Sequence, residues 1–202
     1  MTPRIYRCMS IFLVSSLSLF GCASISPATK KISTPIALER QFYPSIKLAG
    51  RLSIRYQQNG KNESLHGHFV WSQNDESTLI TLLSPLGQTI ATIQSNPTQS
   101  TLTQANQIPR VAANVDRLAA DTLGWPLPIT GLRDWLQGFA TDANGNRFVA
   151  QPEVADAITT LDGWRIRYAS WHDDATPKRI DLDRTTEQVG DVNIRIVIDT
   201  RK

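Results

Sequence analysis

The sequence predicts a mainly β (α+β) domain, a curved, half-open barrel of antiparallel strands with two short α-helices across its mouth. Three observations predict this fold. Apolar and polar residues alternate along most segments, which is typical of strands with one buried face. Turn sequences separate neighbouring segments, so that consecutive strands can pair as hairpins. Two amphipathic helical segments interrupt the strands, and they can cover the apolar face that such a sheet must bury.

The first 21 residues have the three parts of a secretory signal peptide. Arg4 and Arg7 form a positive start, and Met9 to Phe20 form an apolar run that ends at Gly21. A run of about a dozen residues is too short to cross a bilayer, which needs roughly 20. The segment is therefore interpreted as a cleavable leader.

Cys22 follows the leader directly, and this pattern resembles the lipobox of bacterial lipoproteins, although Phe20 is bulkier than the usual residue there. The resemblance implies a diacylglycerol on the Cys22 thiol, an acyl chain on the freed amine, and no other cofactor. Ala23, in place of the Asp that commonly marks retention in the inner membrane, implies the outer membrane. The alternative interpretation is an ordinary secretory leader with an incidental cysteine.

About 180 residues remain after cleavage, which suits a single domain with a sizeable core. Residues 24–35 are rich in Ser, Thr, Pro and Lys and predict a flexible tether. The predicted organisation is a signal peptide at 1–21, a lipidated tether at 22–35 and one domain at 36–202.

The net charge of the protein is small once the leader is removed. Loss of Arg4 and Arg7 reduces 21 basic residues to 19 against 18 acidic ones, so the formal charge falls from +3 to +1. The sequence contains no basic stripe, and a nucleic-acid partner is therefore not expected. Cys8 lies in the leader and Cys22 carries lipid, so no disulfide is predicted, and the domain must rely on its core.

The first half of the domain predicts strands. Residues 47–56 and 65–71 alternate, and Asn59-Gly60 between them is a hairpin sequence. Residues 78–84 and 88–94 predict two more strands, joined at Ser84-Pro85-Leu86-Gly87, and residues 98–103 form a weaker candidate.

The middle of the domain predicts the two helices. Apolar residues recur at helical spacing from Val115 to Leu123, and Gly124 suits a helix C-terminus. Residues 125–128 (Trp-Pro-Leu-Pro) cannot continue that helix. Leu132, Trp135, Leu136 and Phe139 then form a second apolar stripe, which predicts a helix that opens at Ile129 or Thr130 and runs to Phe139.

The last part of the chain predicts strands again. Residues 164–168, 179–183 and 191–199 alternate between apolar and charged residues, with a loop at 142–145 before them. Strands that are apolar on one side and charged on the other are typical of antiparallel meanders.

Several short motifs, taken in order, resemble the LolB family of outer-membrane lipoproteins. They are Gly50-Arg51-Leu52-Ser53-Ile54, Gly67-His68-Phe69-Val70-Trp71, Ser84-Pro85-Leu86-Gly87, Leu123-Gly124-Trp125-Pro126-Leu127-Pro128-Ile129, Leu132 to Gly138 with Trp135, and Asp162-Gly163-Trp164 leading to Tyr168. The family implies an unclosed β-barrel whose apolar cavity is covered by helices. It also implies a receptor, outer-membrane-anchored and facing the periplasm, that accepts acylated lipoproteins from the carrier LolA and inserts them into the inner leaflet of that membrane.

The resemblance implies two kinds of binding residue. Leu86 would protrude from its turn and enter the membrane during delivery, although an ordinary exposed leucine would look the same in the sequence. The acyl-chain cavity would be lined from the apolar faces of strands and helices, although alternation alone cannot distinguish a cavity from ordinary core. The predicted lining residues are Leu52, Ile54, Phe69, Trp71, Leu118, Trp135, Leu136, Trp164, Ile166, Ile194 and Ile196.

Other functions are less well supported by the sequence. His66, His68 and His172 make a poor zinc set, because no cysteine or clear carboxylate accompanies them, so no metal site is predicted. No nucleophile stands beside a plausible base, so an enzyme, in particular a lipid hydrolase, is not expected. A passive structural lipoprotein that binds other envelope components remains the alternative function. We expect a monomer, and complementary charge suggests Arg51, Arg55, Arg165 and Arg167 as candidates for docking LolA.

Overall fold

The computed structural model describes residues 40–58, 60–154 and 157–202. The predicted signal peptide, Cys22 and the tether lie outside the described residues, so their interpretation stays a prediction. The described chain forms twelve strands and two helices. They are β1 (Ile46–Gln58), β2 (Lys61–Gln73), β3 (Thr78–Leu83), β4 (Thr89–Ser95), β5 (Ser100–Gln104), β6 (Arg110–Ala112), α1 (Val115–Leu123), α2 (Ile129–Trp135), β7 (Phe139–Thr141), β8 (Arg147–Val149), β9 (Ala157–Thr159), β10 (Arg165–Trp171), β11 (Pro177–Thr186) and β12 (Gly190–Arg201).

Ten of the strands form one curved antiparallel sheet in the order β6-β5-β4-β3-β2-β1-β12-β11-β10-β9. The last strand of the chain pairs with the first, so the two halves of the meander join at the β1–β12 ladder. β6 and β9 are the two edges, and the sheet is therefore not closed. The predicted mainly β fold, with an unclosed antiparallel sheet and two short helices, is confirmed.

Strand register places the apolar residues on one face, which we call the inner face. Leu48 pairs with Trp71, and Ile54 pairs with Ile194 across β1 and β12. All four side chains are buried. Because side chains alternate along a strand, the charged residues between them lie on the opposite, outer face.

The turns of the meander fall at two ends of the sheet. The proximal end carries the start of β1 and the turns at 73–78, 95–100 and 171–177. The distal end carries the turns at 58–61, 83–89, 104–110, 159–165 and 186–190.

The two helices have clear start and stop signals. The Asn114 side chain accepts hydrogen bonds from the backbone N–H groups of Asp116 and Arg117, and Gly124 ends α1 in the left-handed conformation (φ 80°). The expectation that the second helix reaches Phe139 is wrong. α2 ends at Trp135, and Gly138 has a φ of 85°, which a helix cannot accommodate, so that Phe139 begins β7 instead.

Candidate functional site

An apolar cavity of about 100 Å³ lies between the inner face of the sheet and the two helices. Every side chain on its wall is apolar, and the wall draws on five strands, both helices and their connector. The lining residues are Leu52, Ile54, Leu65, Phe69, Trp71, Ile80, Leu82, Ile93, Leu123, Leu127, Ile129, Leu132, Leu136, Ile194 and Ile196. Such a wall offers no hydrogen bond to a ligand, so it suits hydrocarbon.

Seven of the eleven predicted lining residues border this cavity: Leu52, Ile54, Phe69, Trp71, Leu136, Ile194 and Ile196. The other four are buried but lie elsewhere in the core: Leu118, Trp135, Trp164 and Ile166. Trp164 directly precedes β10, and Ile166 lies within it, next to the edge strand β9. There Ile166 pairs with Leu182 and Ile158. Their face was predicted correctly, but a strand's face does not determine its distance from the cavity.

Eight of the lining residues were not predicted from the sequence. Leu65, Ile80, Leu82 and Ile93 belong to β2, β3 and β4, and the other four are Leu123, Leu127, Ile129 and Leu132 of the helical segment. Alternation on β3 and β4 identifies Ile80, Leu82 and Ile93 as inner-face candidates. The order of strands across the sheet, which decides that these strands border the cavity, is not readable from alternation.

The cavity opens toward the distal end. Leu65 and Leu82, which lie toward the distal ends of their strands, and Leu123 and Leu127 of the helical segment are partly or well exposed. Trp71, which lies toward the proximal end of β2, is buried. The lining side chains that reach solvent therefore form a mouth between the helix connector and the distal part of the sheet.

Helix α2 is fastened by polar contacts at three places. Arg133 donates from Nη2 to the Asn74 carbonyl (2.7 Å) and from Nη1 to the Ser77 carbonyl (3.3 Å) and the Thr78 hydroxyl. The Gln137 side chain, just after the helix, bonds both the N–H (2.9 Å) and the carbonyl (3.0 Å) of Tyr43. These contacts attach the helix to the proximal side, away from the cavity mouth.

The third contact joins α2 to the sheet. The Tyr168 hydroxyl donates to the Trp135 carbonyl at 3.1 Å, and burial raises the pKa of this phenol above its ordinary value. Tyr168 therefore stays neutral and keeps its donor proton throughout the physiological range. The Asp116 carboxylate accepts a hydrogen bond from the Thr130 N–H at 2.9 Å, so α1 and α2 are also tied together.

The cavity is too small to hold the whole of an acyl chain. Pockets that hold drug-sized ligands have volumes of roughly 300–1,000 Å³, several times the volume found between sheet and helices. Part of an alkyl chain fits in the closed state. Accommodating whole chains requires the helices to move away from the sheet.

Leu86 lies at the tip of a tight turn between β3 and β4. The Ser84 carbonyl accepts from the Gly87 N–H at 2.8 Å, the Ser84 N–H donates to the Gln88 carbonyl at 2.8 Å, and Gly87 has a φ of 82°. Pro85 precedes Leu86 and fixes the backbone of the turn. The Leu86 side chain is 89% exposed, so the turn presents it to the surroundings.

The outer face carries a buried carboxylate among arginines. Asp181 accepts hydrogen bonds from Arg167, Arg179 and Arg195 at 2.7–3.2 Å. Burial alone would raise the pKa of Asp181, but hydrogen bonds from Arg179 and Arg195 outweigh it and hold that pKa below its ordinary value. The site stabilises the β10–β11–β12 part of the sheet and leaves a net positive charge there.

The candidate docking arginines also lie on the outer face. Arg51 forms a bidentate pair with Asp199 at 2.9 and 3.1 Å, and Arg167 bonds Asp181. The side chains of Arg55 and Arg165 are exposed. Their role in docking stays a prediction.

The three histidines do not assemble. His66 and His68 lie on the outer face of β2, and His172 Nε2 lies 3.0 Å from the Ile198 carbonyl. Among the described residues, no group of three His, Cys, Asp or Glu side chains is arranged to hold a metal ion. Within the same residues, none of the helices has the length and apolar character needed to cross a membrane.

Comparison with known proteins decides the family. The profile of the family described as "Outer membrane lipoprotein LolB" matches residues 44–200. The chain belongs to the LolB family. This confirms the resemblance that the sequence motifs indicated, and it places the protein at the outer membrane as a lipoprotein that faces the periplasm.

Relatives named "Outer-membrane lipoprotein LolB" match most of the chain. The protein from Cupriavidus necator is 35% identical over 198 residues, covering 96% of this chain and 97% of its own. The one from Ralstonia nicotianae is 34% identical over 196 residues, covering 92% of each chain. A solved structure of a LolA superfamily protein from Nitrosomonas europaea matches with a TM-score of 0.45 and 12% identity, covering 82% of this chain and 89% of its own.

Proposed function

We propose that this LolB-family protein is a receptor that takes acylated lipoproteins from the periplasmic carrier LolA and inserts them into the inner leaflet of the outer membrane. The observation that carries the proposal is the cavity with entirely apolar walls, which opens at the same end of the sheet as the exposed Leu86. In this proposal Cys22 carries the lipid that anchors the receptor, and the receptor acts as a monomer without catalysing a reaction.

The physical chemistry of acyl chains requires such a shelter. Each methylene exposed to water costs about 0.8 kcal/mol, so a free client with several acyl chains would be too unstable to diffuse. The client must pass from one apolar environment to the next. No nucleotide is needed, because a difference of about 1.4 kcal/mol between carrier and receptor gives a tenfold bias, and the bilayer is the most stable destination.

A transfer assay tests the proposal. The mature chain with Cys22→Ser is mixed with LolA that carries an acylated client, and the client is located by affinity capture of each protein. Transfer to the Cys22→Ser protein is the expected result. Absence of transfer supports a passive structural lipoprotein, and release of free fatty acid supports a hydrolase.

Leu86 is assigned to the last step, delivery into the bilayer. We expect the lipidated Leu86→Glu protein to accept clients normally but to deliver them slowly, because a charged tip resists entry into the membrane. Leu79→Glu is the matched control, since Leu79 is an exposed leucine at the proximal end of β3, the strand that leads into the Leu86 turn. Normal delivery by the Leu86→Glu protein would contradict this role.

A further inference from the structure

The three most exposed large apolar side chains of the described domain all lie in turns at the distal end. Leu86 is 89% exposed in the β3–β4 turn, Ile108 is 89% exposed in the β5–β6 turn, and Leu161 is 84% exposed in the β9–β10 turn. The next in order is Val111, at 60%. The cavity mouth is at this same end.

The turns that carry Leu86 and Leu161 have the same construction. In each, a hydroxyl residue opens the turn and a glycine with positive φ closes it, Gly87 at 82° and Gly163 at 85°. The Ser84 Oγ accepts from the Gln88 N–H at 3.2 Å, and the Thr160 hydroxyl accepts from the Trp164 N–H at 3.1 Å. Such closed turns hold a leucine outward without any contact that shields it from water.

The turns at the proximal end have the opposite character. The tips at 74–77, 96–99 and 172–176 are polar, and they expose Asp75, Glu76, Asp173 and Asp174. The distal turns that carry Leu86 and Ile108 contain no acidic residue. The turn that carries Leu161 contains Asp162, whose carboxylate accepts a hydrogen bond from the Thr160 hydroxyl. The exposed apolar tips are therefore confined to the distal end, although that end also exposes Lys61 and Glu187, whereas the proximal turns are all polar.

We propose that Leu86, Ile108 and Leu161 together form a three-point contact with the lipid bilayer that turns the cavity mouth toward the membrane. This proposal deepens the proposed function and rests on it, because the contact serves to deliver clients into the membrane. The role of Ile108 and Leu161 is to fix the orientation of the domain on the membrane, which a single inserted leucine cannot do.

The distance of Leu161 from the other two tips favours a bilayer over a protein partner. The turns of Leu86 and Ile108 are two strand spacings apart, whereas the turn of Leu161 lies six and eight spacings from them. These last separations are about 29 and 38 Å along the curved sheet at ~4.8 Å per strand. A protein partner is recognised by a contiguous apolar patch. A bilayer surface is broad enough to contact three separate side chains at once.

The chain before the domain is long enough to allow this orientation. The described chain enters at the proximal end, and 18 residues (40 − 22) connect Arg40 to Cys22. Their fully extended length is about 60 Å, whereas a 13-residue strand such as β1 is about 43 Å long. A lipid on Cys22 therefore does not prevent the distal end from reaching the membrane.

Partitioning onto vesicles tests the contact without carrier or client. The mature Cys22→Ser protein is mixed with phosphatidylcholine vesicles and the bound fraction is measured by sedimentation. We expect Ile108→Ser, Leu161→Ser and Leu86→Ser each to weaken partitioning about tenfold, the change that 1.4 kcal/mol produces. Circular dichroism checks that each variant keeps its fold, which is expected because the three side chains pack against little.

The matched control adds a leucine at the other end. Asp173 is exposed at the first central position of the proximal 172–176 turn, as Leu161 is in its turn. Asp173→Leu is expected to leave partitioning unchanged. Wild-type partitioning of the Ile108→Ser and Leu161→Ser proteins would overturn the proposal, and so would a gain from Asp173→Leu as large as those losses.

The transfer assay separates this proposal from the proposed function. Ile108→Ser and Leu161→Ser proteins that bind vesicles normally but accept clients poorly from LolA would make the partner a protein and overturn the membrane contact. If these variants bind vesicles weakly and the wild-type protein transfers no client, the membrane contact would be supported and the receptor function refuted.

Discussion

Replacing Arg133 with Met should loosen the attachment of helix α2 and strengthen the binding of an alkyl chain. The guanidinium donates to the carbonyls of Asn74 and Ser77 and to the Thr78 hydroxyl, all within the β2–β3 segment. The cavity of about 100 Å³ is too small for a whole chain, so binding requires the helices to move. Contacts that hold α2 in place therefore oppose binding.

The size of the effect follows from these hydrogen bonds. A hydrogen bond from a charged donor contributes about 1.5–3 kcal/mol, but Arg133 is partly exposed and water replaces some of its partners when the helix moves. We take about 2 kcal/mol for the whole set. If the open state is a minor population, losing 2 kcal/mol from the closed state raises the open fraction, and with it the apparent affinity, roughly 30-fold.

Two measurements on the same variant check this reasoning: titration with a fluorescent acyl probe and unfolding in urea. We expect Arg133→Met to bind the probe more tightly while its free energy of unfolding falls by about 2 kcal/mol. Arg117→Met is the matched control, because Arg117 lies on α1 in an exposed ion pair with Asp121 at 3.7 Å. Lower stability with unchanged affinity for the probe would refute the idea that α2 moves.

Three further predictions concern the core and the outer face. Asp181→Asn should lower the free energy of unfolding by about 2 kcal/mol near pH 7, since it removes charged hydrogen bonds. The folded-state pKa of Asp181 is depressed despite its burial, so the ionised carboxylate stabilises the wild-type protein fully above its unfolded-state pKa. This stability gain disappears as the pH falls through the folded-state pKa, which urea unfolding at several pH values measures. Gly50→Ala should destabilise the sheet by about 2 kcal/mol or more in the same assay, because its Cβ would lie 2.0 Å from the Val197 carbonyl oxygen. Ile194→Phe should fill part of the cavity and weaken acyl-probe binding while leaving the urea midpoint nearly unchanged.

Alternation in the sequence predicted the long strands well because it reports which face of a strand is buried. The alternating residues of β1 and β2 share the inner face, where Leu48, Ile54 and Trp71 are buried, while Leu65 near the distal end remains exposed at the cavity mouth. The three-residue strands β6, β7, β8 and β9 were not predicted, because a segment so short shows no periodicity. Phe139 was assigned to a helix because its spacing from Leu132 matches two helical turns, but Gly138 ends that pattern.

The cavity was harder to predict than the fold. Leu52 and Ile166 both alternate correctly and both lie on the inner face, yet Leu52 borders the cavity and Ile166 is packed in the core near β9. The difference arises from where each strand lies across the sheet, which is set by long-range pairing. The exposure of Leu86 was easier to predict, because Pro85 and Gly87 of its turn indicate a chain reversal from local sequence alone.

The small size of the closed cavity has an energetic reason. At about 24 cal/mol per Å³, an empty cavity of 100 Å³ costs roughly 2.4 kcal/mol, and one of 300 Å³ would cost about 7 kcal/mol. The second value approaches the whole stability of a typical domain, which is about 5–15 kcal/mol. A receptor that kept a chain-sized apolar void unfilled would therefore give up a large part of its stability. Closing the helices over the sheet avoids this cost, and an entering alkyl chain then replaces the apolar contacts that the helices give up. In the proposed function, the net affinity for the chain is the difference between the two sets of contacts, and this difference would keep binding weak enough for the bilayer to take the client.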